Sequence, residues 1–159
     1  MYTGIPIEGL QLYIPFDFGI YTKTGQTLTQ TGTPDGYSTF KGVPSTSFSG
    51  NCQFYVVPWE NWLTNKDSFT IFIWATYSQP STKTSRALDA LYGTSTELSV
   101  FCWGNSSANV FFGSVSTESN TYTADTWWWG CITHDKSTSA VQIKTSNTAD
   151  VSGTVTLTA

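Results

Sequence analysis

An all-β fold is predicted by three features of this sequence. Of its 159 residues, 39% are hydrophobic and 16% aromatic, while only 11% are charged, well below the roughly 25% usual in soluble domains. A polar remainder rich in Ser, Thr, Asn and Gln, with so many β-branched and aromatic residues, favours a pleated, half-buried backbone over a helix. No long window repeats at 3.6 residues, whereas short alternating runs recur between turn-forming clusters. At this length the chain is read as one β-sandwich domain, 1–159, with room for a real core and little else.

The elements are justified in chain order. Leu10–Phe16 alternates strictly, with Leu10, Leu12, Ile14 and Phe16 on one face; Pro15 cannot donate to a ladder and marks an edge or a strand end. A short strand is expected around Leu28, and Thr33-Pro34-Asp35-Gly36 carries turn chemistry. Strands are then expected at Ser38–Val43, Thr46–Ser49 and Cys52–Val57. Pro58 and the Trp59/Trp62/Leu63 spacing predict one helical turn. Phe69–Tyr77 is the longest clean strand, with Phe69, Ile71, Ile73, Ala75 and Tyr77 opposite Thr70, Phe72, Trp74 and Thr76. Ala87–Tyr92, Leu98–Trp103 and Asn109–Ser114 follow, separated by Gly-containing hairpin spacers. Trp127–Asp135 is apolar on both faces, the mark of a central strand covered on both sides. It forms a hairpin with Ala140–Thr145, and Val151–Leu157 is the last alternating run.

Charge and motifs exclude several roles. The net charge is −4 and the seven Lys and Arg are scattered singly, so no basic stripe exists to neutralise phosphates and nucleic acid is not expected as a partner. No apolar run is long enough to span a bilayer, so membrane insertion is not expected. Met1-Tyr2-Thr3-Gly4 opens without a charged n-region or an apolar h-region, so no signal peptide is visible. Cys52, Cys102 and Cys131 lie far apart with no C-x-x-C pair. They read as buried, reduced core residues rather than a zinc or redox site.

Four stretches in order narrow the fold. Tyr13-Ile14-Pro15-Phe16-Asp17 is followed by Phe48-Ser49-Gly50, then by Phe69-Thr70-Ile71-Phe72-Ile73-Trp74, then by a strand led by Trp127 and ending in Thr133-His134-Asp135. Over residues 10–145 this order and spacing resembles the concanavalin A-like jelly rolls, in their laminin G-like branch. His134 replaces the Tyr usual there, and Ser146-Asn147-Thr148 stands in place of an Asn-Gly hairpin end. The closing Gly-x-Ile-Asp-x-x-x-Ile-Tyr strand of such domains is absent before Ala159. The resemblance implies a two-sheet antiparallel jelly-roll sandwich. It also implies that Leu10–Phe16, normally covered by that last strand, is left with an edge that Val151–Leu157 folding back, the arm Met1–Gly9, or a strand from a second copy in a homo-oligomer or from neighbouring virion subunits would cover.

Catalysis is not expected. Glycoside hydrolases need two carboxylates flanking the scissile bond, and Glu8, Glu60, Glu97 and Glu118 are isolated, with no strand bearing two carboxylates. His134 and Asp135 are adjacent on one strand and so point to opposite faces. No cofactor is expected. Calcium needs clustered oxygens, but Asp125, Asp135, Asn120 and Asn105 are spread among turns, which each is read as making.

Glycan binding is the ligand chemistry this composition can offer, because rings stack on pyranose faces and amides orient hydroxyls. Core packing is the default for any single ring. Trp74 and Trp127 match family positions and are read as structural, and Trp59 and Trp62 as packing the helical turn. Trp103 and Trp128 with Tyr122 are the candidates for an exposed platform, with Asn105 and Asn120 as the amides. The expected role is a non-catalytic, surface-exposed adhesion or decoration module with a lectin-like fold, such as a phage capsid-decoration or fibre protein on the virion surface. The alternative is a carbohydrate-binding module of a cellular or secreted, extracellular protein, trimmed from a longer chain.

Overall fold

The computed structural model describes residues 14, 27–32, 37–40, 42–48, 54–56, 68–77, 85–92, 96–104, 107–117, 120–121, 123–146 and 148–156. The described residues form an all-β, antiparallel structure without a helix. The strand expected at Leu10–Phe16, apart from Ile14, lies outside them, as does the helical turn expected at Trp59–Leu63. The chain divides into two compact units, residues 1–64 and 65–159.

Among the described residues, the first unit holds two small sheets. Strand β1 (Thr29–Thr31) pairs with β4 (Phe54–Val56). Strands β2 (Tyr37–Phe40) and β3 (Val43–Thr46) form a hairpin in which Phe40 faces Val43. Its two-residue turn places Gly42 at φ +81, a left-handed conformation that only glycine takes without cost. The expected strand through residue 43 is therefore two strands, broken where this turn reverses the chain.

Among the described residues, the second unit holds two larger sheets. One has the order β10-β8-β7-β6, with β9 also on β8: β6 (Ser85–Tyr92), β7 (Thr96–Gly104), β8 (Ser107–Phe112), β9 (Val115–Ser116) and β10 (Asn120–Thr121). The expected strand Asn109–Ser114 ends early because Gly113, at φ +59, turns the chain into β9. Along β7 the register slips between Val100 and Cys102, a β-bulge that puts two residues against one and changes the alternation beyond it. Thr117 is buried beside this sheet. Its amide donates to the Val110 carbonyl at 2.9 Å, and its hydroxyl accepts from the Val110 amide at 3.0 Å.

The other sheet has the order β13-β12-β11-β5: β5 (Phe69–Ala75), β11 (Trp128–Asp135), β12 (Ala140–Thr145) and β13 (Val151–Thr154). Strand β11 is central, as expected, but only one of its faces is fully covered. Trp128, Gly130, Ile132 and His134 are buried, whereas Trp129, Cys131 and Thr133 are half-buried. Register explains the inward face. Ile71, Ile132, Ile143 and Val151 make one row across all four strands, and Phe69, His134, Val141 and Gly153 make the next. Burying such side chains contributes about 1.5–3 kcal/mol each.

The two sheets meet through these apolar faces. Phe112 of β8 packs edge-on against Phe69 at 5.7 Å and against His134 at 5.7 Å, while Phe69 and His134 stack at 5.3 Å. The His134 Nε2–H donates to the Val155 carbonyl at 3.1 Å. Val115 of β9 lies against Gly153, where an added Cβ would come within 2.6 Å of its Cγ2. Valine is stiff at χ1 and cannot swing aside. Gly153→Ala is therefore expected to cost about 1–3 kcal/mol through overpacking, and Val115→Ala in the same chain to recover part of that loss. Urea denaturation of the two single variants and the double variant measures the coupling; simple additivity would show that the two sites do not touch.

The β11–β12 turn is tied together by one carboxylate. Asp135 Oδ1 accepts from the Ser137 amide at 2.9 Å and the Ser137 hydroxyl at 2.8 Å, and Oδ2 accepts from the Thr138 hydroxyl at 3.0 Å. Ser68 links this turn to β5, its hydroxyl accepting from the Lys136 amide at 3.0 Å. The bonds from Ser137, with a further one from Thr138, hold the Asp135 carboxyl below the ordinary carboxylate range. Stability from a depressed carboxyl is present above its unfolded pKa and is lost as pH falls through the folded one. Wild type should therefore lose more stability than Asp135→Asn when acidified below about pH 4. Thermal unfolding of both proteins at pH 6 and in strong acid tests this, and equal losses would leave the carboxylate no part in the turn.

Candidate functional site

The outward face of the β13-β12-β11-β5 sheet carries an exposed ladder of aromatic rings. Alternation puts Phe72 and Trp74 of β5 on the face opposite Ile71 and Ile73; Phe72 is 63% exposed and Trp74 52%. In the run Trp127-Trp128-Trp129 the same alternation sends Trp128 inward, where it is 5% exposed. Trp127 and Trp129 stay half-buried on the outward side.

Register then brings four rings together on this face as two pairs. Trp129 is the cross-strand partner of Trp74. The Trp129 amide donates to the Ser146 hydroxyl at 3.1 Å and its carbonyl accepts from the Ser146 amide at 3.0 Å. Both backbone groups thus point to the β12 side, which makes Trp74/Trp129 a close, non-hydrogen-bonded pair toward β5. Strand twist brings one set of diagonal neighbours within reach of large side chains. Trp129 stacks on Phe72, with centroids 6.0 Å apart and planes 22° apart. Trp74 leans on Trp127 at 5.0 Å and 49°. At these separations the rings are offset rather than face to face, so part of each ring face stays open.

Polar groups flank the ladder in register. Phe72, Cys131 and Lys144 form one row, and Thr70, Thr133, Gln142 and Ser152 the next. Lys144 pairs with Asp150 at 2.9 Å; that hydrogen bond and the Asp150 charge raise the ammonium above its ordinary pKa. Cys131 is a free thiol, pushed up by burial and pulled part of the way back by the Lys144 charge. Aromatic faces bordered by hydroxyls, an amide and a neutralised cation can stack on an apolar ring and hydrogen-bond its substituents.

Of the residues expected to form a platform, only Trp128 has its side chain among the described residues. Trp128 is a core residue, because its register with Ala75 turns it toward the inner face; the expectation of an exposed ring at this position is corrected. Trp103 lies in the other sheet, where the bulge puts it in the row of the buried Ala108, and Asn120 of β10 also pairs with Ala108. The side chains of Trp103 and Asn120, and all of Tyr122 and Asn105, lie outside the described residues. Of the residues weighed for calcium, Asp135 spends its oxygens on its own turn. Asp125 sits in a turn at φ 59, with its amide donating to the Tyr77 carbonyl at 3.1 Å.

The exposed ladder consists of residues that sequence reasoning took as structural or left unassigned. A signal for it exists in the strand patterns themselves. Phe72 and Trp74 stand opposite an unbroken Phe69/Ile71/Ile73 face, which already fills the inward side of that strand. If the rings divide in this way, Trp128→Ala should cost about 3–5 kcal/mol. Phe72→Ala and Trp74→Ala should each cost no more than about 1.5 kcal/mol, the worth of an aromatic pair. Chemical denaturation compares the three, and a Trp74→Ala loss as large as that of Trp128→Ala would place Trp74 in the core.

No family model matches this chain, and no curated protein or solved structure matches it either.

Proposed function

We propose that this chain is a non-catalytic, surface-exposed glycan-binding module, built on a two-sheet antiparallel jelly-roll sandwich of concanavalin A-like type. The observation that carries the reading is the ladder Phe72–Trp129–Trp74–Trp127, with Phe72 and Trp74 more than half exposed. Contiguous exposed apolar surface marks an interaction site. Here it is made of flat rings rather than aliphatic chains, beside a polar row of Thr70, Thr133 and Gln142. That combination suits a saccharide, which presents an apolar ring face with hydroxyls around its edge. A non-catalytic role is supported by His134 and Asp135, which face opposite sides of β11, one buried and the other exposed. An adhesion or virion-decoration subunit would use the same face to hold a glycosylated surface.

The test is a glycan array followed by calorimetric titration of the hits. Saturable binding to at least one saccharide is expected, falling at least tenfold in Trp74→Ala while the circular dichroism spectrum and melting temperature stay near wild type. Binding that persists unchanged in this variant would move the site elsewhere.

A further inference from the structure

We infer that the ladder forms two stacking subsites in line, so that the ligand is an extended, uncharged oligosaccharide rather than a single sugar; this rests on the glycan-binding reading above. Phe72 and Trp74 are two residues apart on one strand, about 7 Å along it. Each has its own diagonal partner on the neighbouring strand side, Trp129 for Phe72 and Trp127 for Trp74. The rings of each pair lie at 22° and 49° to one another, and it is the two-residue step along β5 that sets the pairs apart as two facets. A single pyranose can cover one facet, whereas a chain can lay successive residues on both.

The charge of the surface limits the class of ligand. Lys144 lies in the row of Phe72, and Asp150 holds it at 2.9 Å, so the pair adds no net charge beside the rings. Asp135 is also on the outward face, but at the far end of β11, with its carboxylate spent on its own turn. The remaining neighbours, Thr70, Thr133, Gln142 and Ser146, are neutral donors and acceptors. Among the described residues beside the rings, a sulfated or uronic-acid chain would gain no cation that is not already paired, whereas a neutral chain loses nothing. A second copy of this chain or an apolar peptide could cover rings too, but neither needs the hydroxyl and amide row alongside them.

The experiment is a titration of the full chain, followed by tryptophan fluorescence, with cello-, xylo-, manno-, malto- and chito-oligosaccharides of one, two, three and five residues, and with a pentagalacturonate. At least one neutral series should tighten tenfold or more between the monosaccharide and the trisaccharide. Phe72→Ala and Trp74→Ala should each remove most of that gain. Equal affinity for the monosaccharide and the pentasaccharide would overturn the two-subsite inference and leave the glycan reading intact. Preference for pentagalacturonate would overturn the neutral class. No binding of any sugar, or a dimer in sedimentation that Trp74→Ala disperses, would overturn both readings.

Discussion

The pairing of β5 with β11 decides which side chains this unit buries and which it shows. In the observed register Ile71 faces Ile132 and Trp74 faces Trp129. Shifting either strand by one residue would exchange Ile132, His134 and Trp128 for Trp129, Cys131 and Thr133 on the inner side. The row Ile71–Ile132–Ile143–Val151 resists such a slip. Three of its members are isoleucines, buried to between 0% and 9% exposure, and each would lose its contacts at once. The same lock that hides the isoleucines holds Phe72 and Trp74 outward.

Contact between the two sheets is built around one unusual core residue. His134 lies between Phe69 and Phe112 with its Nε2–H on the Val155 carbonyl. That bond sets which nitrogen carries the proton, and it anchors the chain just after β13. The Val155 amide in turn donates to the Ser139 carbonyl at 2.9 Å. The end of β13 is thus fastened both to the central strand and to the hairpin turn that Asp135 organises. In the same row Gly153 leaves the space that Val115 fills, which lets β9 approach β13 closely.

A face with exposed tryptophan carries a cost, because apolar area left in water forgoes about 25 cal/mol for each Å². The ladder offsets part of it by packing ring on ring, but Phe72 and Trp74 remain mostly open. Fold stability does not require them, since Ile71 and Ile132 lie on the other face. Under the glycan-binding proposal, a ligand that stacks on the rings supplies the physical reason for keeping them there. The same strands therefore show two different faces through alternation alone, a core on one side and exposed rings on the other.

Sequence alone determined the β class and much of the strand order of residues 65–159. The hairpin Ala140–Thr145 against the Trp127–Asp135 strand and the Phe69-led strand were legible because apolar residues alternate cleanly and turn residues bound them. Turns at Gly42 and Gly113 were missed because Lys-Gly and Gly-Ser can sit within a strand as readily as reverse it, and only pairing chooses. Alternation also separates Trp128 from Trp127 and Trp129, yet it does not say which set faces inward. Tertiary structure decided that, through the register of Ile132 with Ile71 and the contact of Phe112 with Phe69 and His134. Inward and outward are properties of the second sheet's position, not of a strand, and a run such as Trp-Trp-Trp offers a large apolar ring to either side.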